Sequence, residues 1–181
     1  MSGDFTLRDA QAADIEAISR IYRDAVLHGT ASFELSPPDE AEMLKRFEAL
    51  KAGGYPYIVA EDGGGGIGGY AYAGAYRPRP AYRFTVEDSV YVDPAMKRAG
   101  LGRMLLKVLI DKAESAGFRQ MIAVIGDEAS AASIGLHAAL GFRHAGTLAD
   151  VGYKHGAWRA TVLMQRELGP GAATPPAGED A

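Results

Sequence analysis

Residues 97–105 read Lys-Arg-Ala-Gly-Leu-Gly-Arg-Met-Leu, a basic turn punctuated by glycine that joins the apolar segment 89–92 to an amphipathic, helix-like one. Gly100 and Gly102 carry no Cβ, so the backbone can bend sharply and approach a ligand closely. The unpaired amides of the first helical turn, and the positive end of the helix dipole, then point at that ligand. Lys97, Arg98 and Arg103 place three cations around the same turn. The guest that suits it is a pyrophosphate. Just upstream, the alternation of strand 84–92 puts Thr85, Glu87, Ser89 and Tyr91 on one face and Val86, Asp88, Val90 and Val92 on the other. Glu87 is therefore a carboxylate within an apolar strand: either a solvated or paired acid, or a proton acceptor.

Elimination narrows the ligand. A phosphate loop of the NTPase kind requires Gly-x-x-x-x-Gly-Lys-[Ser/Thr], a string the chain lacks. A dinucleotide fingerprint starting at Gly100 would require glycine where Leu105 stands. Gly64, Gly66 and Gly69 have that spacing but precede a strand, and read as a hairpin. What remains, [Gln/Arg]-x-x-Gly-x-[Gly/Ala], resembles the coenzyme A pyrophosphate loop of the GNAT superfamily of N-acetyltransferases, here Lys97-Arg98-Ala99-Gly100-Leu101-Gly102 with lysine in the first position. Backbone amides carry much of that loop's work, so the lysine is expected to change affinity and not the ligand.

The elements that must position these residues follow from periodicity. Residues 5–9 form a first strand, and Ile15, Ile18, Tyr22, Ala25 and Val26 mark a helix ending near His28 and Gly29. A second helix starts at Ser36-Pro37-Pro38-Asp39-Glu40, with Ser36 as cap and the prolines in its first turn, and stops at Gly53. Strands over 57–61, 67–76 and 84–92 form a meander. A helix to Ala116, a buried strand over 121–125 and a helix over 130–140 follow, each helix closed by a glycine. Two strands over 143–150 and 158–168 flank the loop Tyr153-Lys154-His155-Gly156. The Gly, Pro and Ala-rich tail 169–181 is expected to be disordered, leaving a single domain over 1–168.

This order of elements matches the GNAT superfamily, which implies an α/β fold: a mixed, mostly antiparallel sheet of about seven strands flanked by four helices. The strings Thr30-Ala31-Ser32-Phe33, residues 85–92, Ala123-Val124-Ile125-Gly126, Ser133 to His137 with Leu140-Gly141-Phe142, and residues 152–158 resemble one subgroup, the phosphinothricin and methionine sulfoximine N-acetyltransferases. The resemblance implies acetyl-CoA as co-substrate, with backbone amides of Val90, Tyr91 and Val92 facing the thioester and the turn 97–103 on the pyrophosphate. It implies Glu87 as the base that takes the proton of the attacking ammonium. In the next helix, Ser130 stands where the superfamily has an asparagine that touches the coenzyme, Ser133 follows one turn later, and His137 takes the place of a tyrosine near the departing sulfur. His137 is then either an acid for the leaving thiolate or structural. Arg77, Arg79 and Arg83, interleaved with Tyr82, are either a solvated cluster or forks for the acceptor's carboxylate or tetrahedral head group. Phe33, Tyr153 and Lys154 would close over the substrate, Phe33 alternatively packing in the core. A peptide α-amine lies only about one pH unit, roughly 1.4 kcal/mol, from its reactive form at neutral pH, whereas positioning contributes about 7–11 kcal/mol. Glu87 should therefore matter less than the geometry of binding.

Composition bounds the rest. With 181 residues, 48% hydrophobic, and a net charge of −4, the chain has the make-up of one ordinary globular domain and lacks the basic excess of a nucleic-acid or anionic-membrane binder. It has no cysteine, which removes thiolate ligands, disulfides and a cysteine nucleophile, and no metal is expected. No membrane-length apolar run or signal pattern is present, so the cytoplasm is the expected location. The expected activity is direct acetylation of the α-amine of a small amino acid, by a homodimer given the apolar residues around Trp158. Acetylation of a peptide N-terminus or another amine, and an acyl-CoA-binding sensor, are the alternatives.

Overall fold

In the computed structural model, which describes residues 5–96 and 100–178, the chain runs β1 (Phe5–Asp9), α1 (Ile15–His28), α2 (Glu40–Ala52), β2 (Tyr57–Asp62), β3 (Ile67–Ala75), β4 (Thr85–Val92), α3 (Leu101–Ser115), β5 (Gln120–Gly126), α4 (Ala131–Ala139), β6 (Arg143–Lys154) and β7 (Ala157–Glu167). The strands form one seven-stranded sheet in the order β1-β2-β3-β4-β5-β7-β6. All pairings are antiparallel except β4 with β5.

Strand alternation sends side chains to two cores. On one face Tyr57, Val59, Tyr70 and Tyr91 pack with Ile18, Ile21, Tyr22 and Val26 of α1 and Met43 and Phe47 of α2. On the other, Ile58, Ala60, Ala71, Ala73, Val86, Met121 and Ala123 lie under Leu101, Leu105, Leu106 and Leu109 of α3. Each fully buried leucine contributes about 1.5–3 kcal/mol, so α3 is fixed rigidly and its N-terminus is aimed by the core.

Local chemistry sets two boundaries differently from the sequence reading. Asp39, not Ser36, caps α2: its backbone is extended and its carboxylate accepts the Glu42 amide at 2.8 Å, which leaves Pro37 and Pro38 ahead of the helix. The β6–β7 connection is also shorter than expected. His155 and Gly156 both have positive φ, 52° and 71°, and make the turn alone, so Tyr153 and Lys154 belong to β6. The glycine run is a hairpin as expected, with the Asp62 carboxylate accepting the amides of Gly64 and Gly66 at 2.8 Å. Residues 169–178 hold neither helix nor strand, and Arg119 donates to the carbonyls of Gly171, Thr174 and Pro175 at 3.2, 3.1 and 2.8 Å.

One irregularity creates the site. β4 and β5 pair only from Thr85 with Gln120 to Asp88 with Ala123. Beyond that point β4 stays with β3 as far as Val92, and β5 stays with β7 as far as Gly126. The two strands part, and the facing edges of 89–92 and 124–126 border a cleft.

Candidate active site

The cleft opens into a cavity of about 970 Å³. At one end lies the N-terminus of α3, where Gly100 adopts φ +76°, a conformation that favours glycine, and caps the helix. A Cβ on Gly102 would meet Leu136 at 3.4 Å and Val92 at 3.8 Å, so the bare backbone there leaves room for a ligand against the first-turn amides. Gly100, Leu101, Gly102 and Arg103 line the cavity together with Val90, Tyr91 and Val92 of the parted strand and Ser130 and Ser133 of the α4 region. Lys97, Arg98 and Ala99 lie outside the described residues. Ser130 does not offer its hydroxyl outward: Oγ donates to the Gly126 carbonyl at 2.9 Å.

At the closed end stands Glu87, half-buried on the α1/α2 face, with Tyr72 and Ser89 as the cross-strand pair next to it. Burial, and secondarily the charge of Asp88, push its carboxyl up to about 7. It thus changes charge at neutral pH, as a general base must. On the opposite face, Asp88 meets His137 of α4. His137 Nε2 lies 2.9 Å from Asp88 Oδ2, and Nδ1 lies 2.7 Å from the carbonyl oxygen of Ser133. Both oxygens only accept, so both ring nitrogens donate. Burial works against the charged ring, but the Asp88 bond and attraction prevail and the imidazole is held above its ordinary range. Neither N–H is directed at the cavity, which departs from the expectation of an acid presented to sulfur.

The segment between α1 and α2 closes the acceptor side. Phe33 packs where Cβ atoms on Gly126 and Gly152 would lie, 2.8 and 2.3 Å from its ring, so these glycines form a notch for the aromatic side chain. Lys154, 3% exposed, donates from Nζ to the Ser32 carbonyl at 2.6 Å, and His155 Nε2 reaches the Gly29 carbonyl at 3.2 Å. The Tyr22 hydroxyl bonds Ser32 Oγ at 2.9 Å and Glu34 at 3.0 Å. Lys154 is thus a tether for the covering loop, where a direct substrate contact was expected.

Comparison with known proteins agrees with this architecture. Residues 7–163 match the acetyltransferase (GNAT) domain family. The chain is 52% identical over 171 residues to a phosphinothricin N-acetyltransferase of Alcaligenes faecalis, covering 94% of this chain and 86% of that one. It is 42% identical over 170 residues to an L-methionine sulfoximine/L-methionine sulfone acetyltransferase of Pseudomonas aeruginosa, covering 94% and 98%. The crystal structure of a GNAT superfamily phosphinothricin acetyltransferase from Sinorhizobium meliloti in complex with AcCoA superimposes with a TM-score of 0.94 at 52% identity, covering 96% of this chain and 94% of that one. The chain belongs to the GNAT acetyltransferase family.

In this GNAT enzyme the structure gathers most of the residues singled out by sequence, but not the arginine cluster. Arg77, Arg79, Tyr82 and Arg83 lie on the β3–β4 connection, off the cavity wall. There Arg77 stacks on Tyr76 at 5.1 Å, and Arg83 stacks on Phe84 at 4.7 Å while donating to the Pro80 carbonyl at 2.9 Å. Tyr153 points to the outer side of the hairpin, 58% exposed and edge-on to Trp158. Sequence reading placed Ser89 on the face of Glu87 without giving it a role, and overlooked Asp88 as the partner of His137 together with Tyr22 and Tyr72. Alternation with the meander register is the signal for Tyr72, which pairs with Ser89 beside Glu87.

Proposed function

We propose that this N-acetyltransferase transfers the acetyl group of acetyl-CoA to the α-amine of a small amino acid whose side chain ends in a tetrahedral polar group, such as phosphinothricin, methionine sulfoximine or methionine sulfone. The observation that carries this is Glu87, a carboxyl with a pKa near 7 at the closed end of a covered cleft whose other end is a glycine-capped helix N-terminus. The covering loop supports a small acceptor over a protein surface. Acetyl-CoA supplies the thioester, and Gly100 to Arg103 would hold its pyrophosphate. Glu87, directly or through water, takes the proton of the α-ammonium. The amine nitrogen attacks the acetyl carbon in a ternary complex. The backbone amides of Val90 and Val92, on the β4 edge turned away from β3, face the oxygen that gains negative charge, an interaction worth about 2.7–4 kcal/mol. Acetylation removes the charge of the amine, a reaction suited to detoxifying amino-acid analogues. A panel of amines assayed for coenzyme A release tests the reading. Turnover of these three amino acids and not of peptides is expected; turnover confined to peptides or other amines would overturn it.

We also propose a homodimer built on the β6–β7 hairpin, where Leu148, Val151, Tyr153 and Trp158 are 50–64% exposed and β6 is an edge strand. Sedimentation should give a dimer at micromolar concentration, and Trp158→Glu a monomer.

A further inference from the structure

We propose that Glu34 is a positioning residue for the acceptor: its carboxylate closes a directed ring of hydrogen bonds that latches the covering loop, residues 29–39, and so sets where Ser32 and Phe33 stand over the amino acid. The inference rests on the reading that a small amino acid occupies this end of the cleft. The Glu34 amide donates to Ser32 Oγ at 3.1 Å, and the Tyr22 hydroxyl donates to Glu34 Oε1 at 3.0 Å. Tyr22 thus commits its one proton to the carboxylate, so in the 2.9 Å contact between the two hydroxyls Ser32 is the donor. The carboxylate can only accept, and it therefore fixes the direction of every bond in the ring.

Arg46 of α2 holds the ring from outside. Its Nη1 donates to the same Glu34 oxygen at 2.6 Å and its Nε donates to Glu42 Oε1 at 2.9 Å, so the loop is joined to α1 through Tyr22 and to α2 through Arg46. Phe33 lies between Ser32 and Glu34 and is fixed on both sides. Tyr22, Ser32 and Phe33 line the cavity, whereas Glu34 and Arg46 stand behind its wall. Glu34 therefore acts on the acceptor through the loop and not by touching it. Ser32 is gripped from two directions, Lys154 taking its carbonyl and the ring its hydroxyl. Release of the ring frees the Phe33 side chain to leave the notch at Gly126 and Gly152, which widens the acceptor end of the cleft.

The test uses the full chain. Glu34→Ala should raise KM for methionine sulfone about 10-fold, the lower end for a charged hydrogen bond at a part-exposed site, with kcat kept and acetyl-CoA affinity by calorimetry unchanged. Glu34→Gln retains an acceptor oxygen and should fall between Glu34→Ala and the wild type. As the acceptor end widens, kcat/KM for methionine sulfone should drop relative to that for phenylalanine, a bulkier acceptor. An unchanged KM in Glu34→Ala, or a loss shared equally by kcat and both affinities, would overturn the proposal. Hydrogen exchange needs no acceptor: amides of residues 29–36 should exchange about 10-fold faster in Glu34→Ala and in Tyr22→Phe, with those of β4 unchanged. Unaltered exchange over 29–36 would remove the latch whatever the substrate. Faster exchange there, combined with no turnover of methionine sulfone by the wild-type chain, would support the latch and remove the assignment of the acceptor instead.

Discussion

At the residue scale, Glu87 makes the most direct prediction. Only its ionised form accepts a proton, and its carboxyl is raised to about 7 by burial and then by Asp88, so wild-type kcat/KM for the amino acid should climb with pH through that value. Glu87→Gln should lose about 10²–10⁴-fold at neutral pH and regain much of it as the amine's own deprotonation takes over. A loss independent of pH would make Glu87 an orienting group. Gly152 makes a second prediction through Phe33. Any β-carbon at that position would meet the ring at 2.3 Å, and overpacking of this kind costs about 1–3 kcal/mol. Gly152→Ala should therefore raise KM for the amino acid about 5- to 150-fold and leave that for acetyl-CoA nearly unchanged. Glu87 was legible because a carboxylate in an alternating strand is conspicuous. The bond that commits both nitrogens of His137 was not, because its carboxylate lies 49 residues away on another element.

At the scale of elements, the glycine-capped start of α3 was readable from spacing alone, since backbone bend and helix dipole are local properties. The covering loop was not. Its tether joins Lys154 to Ser32 across 122 residues, and local sequence placed Lys154 in a loop because a two-residue turn of His155 and Gly156 is not an evident hairpin signal. Lys154→Met keeps much of the buried stem but removes a charged donor, a bond worth about 1.5–3 kcal/mol. We expect the acceptor KM to rise with little change in coenzyme affinity by calorimetry. Equal losses for both ligands would mean that Lys154 supports the whole fold and not the loop.

For the whole molecule, the order of elements was legible, as was the two-faced burial, because periodicity reports which residues face a core. The sheet order was not, since the insertion of β7 between β5 and β6 is a non-local pairing. Acid stability depends on Asp14, whose carboxylate is held below its ordinary range chiefly by the two 2.8 Å bonds from Arg8, with burial opposing and the Gln11 amide helping. A depressed carboxyl stabilises the fold above its unfolded value and loses that contribution as pH falls through its folded value. Asp14→Asn should cost about 1.5–3 kcal/mol at neutral pH and flatten the acid limb of a denaturation curve measured against pH. The parting of β4 from β5 has a mechanical consequence as well. The sheet is two slabs, β1 to β4 and β5 to β7, sharing a seam of few rungs, and a molecule lying in the gap completes the seam as an extra strand would. Coenzyme should then act as a structural splint: amide hydrogens along 89–92 and 124–126 should exchange much more slowly in its presence. Linkage raises stability by about 2.7 kcal/mol at a concentration one hundred times Kd, and the two slabs, able to loosen separately without it, should melt as one.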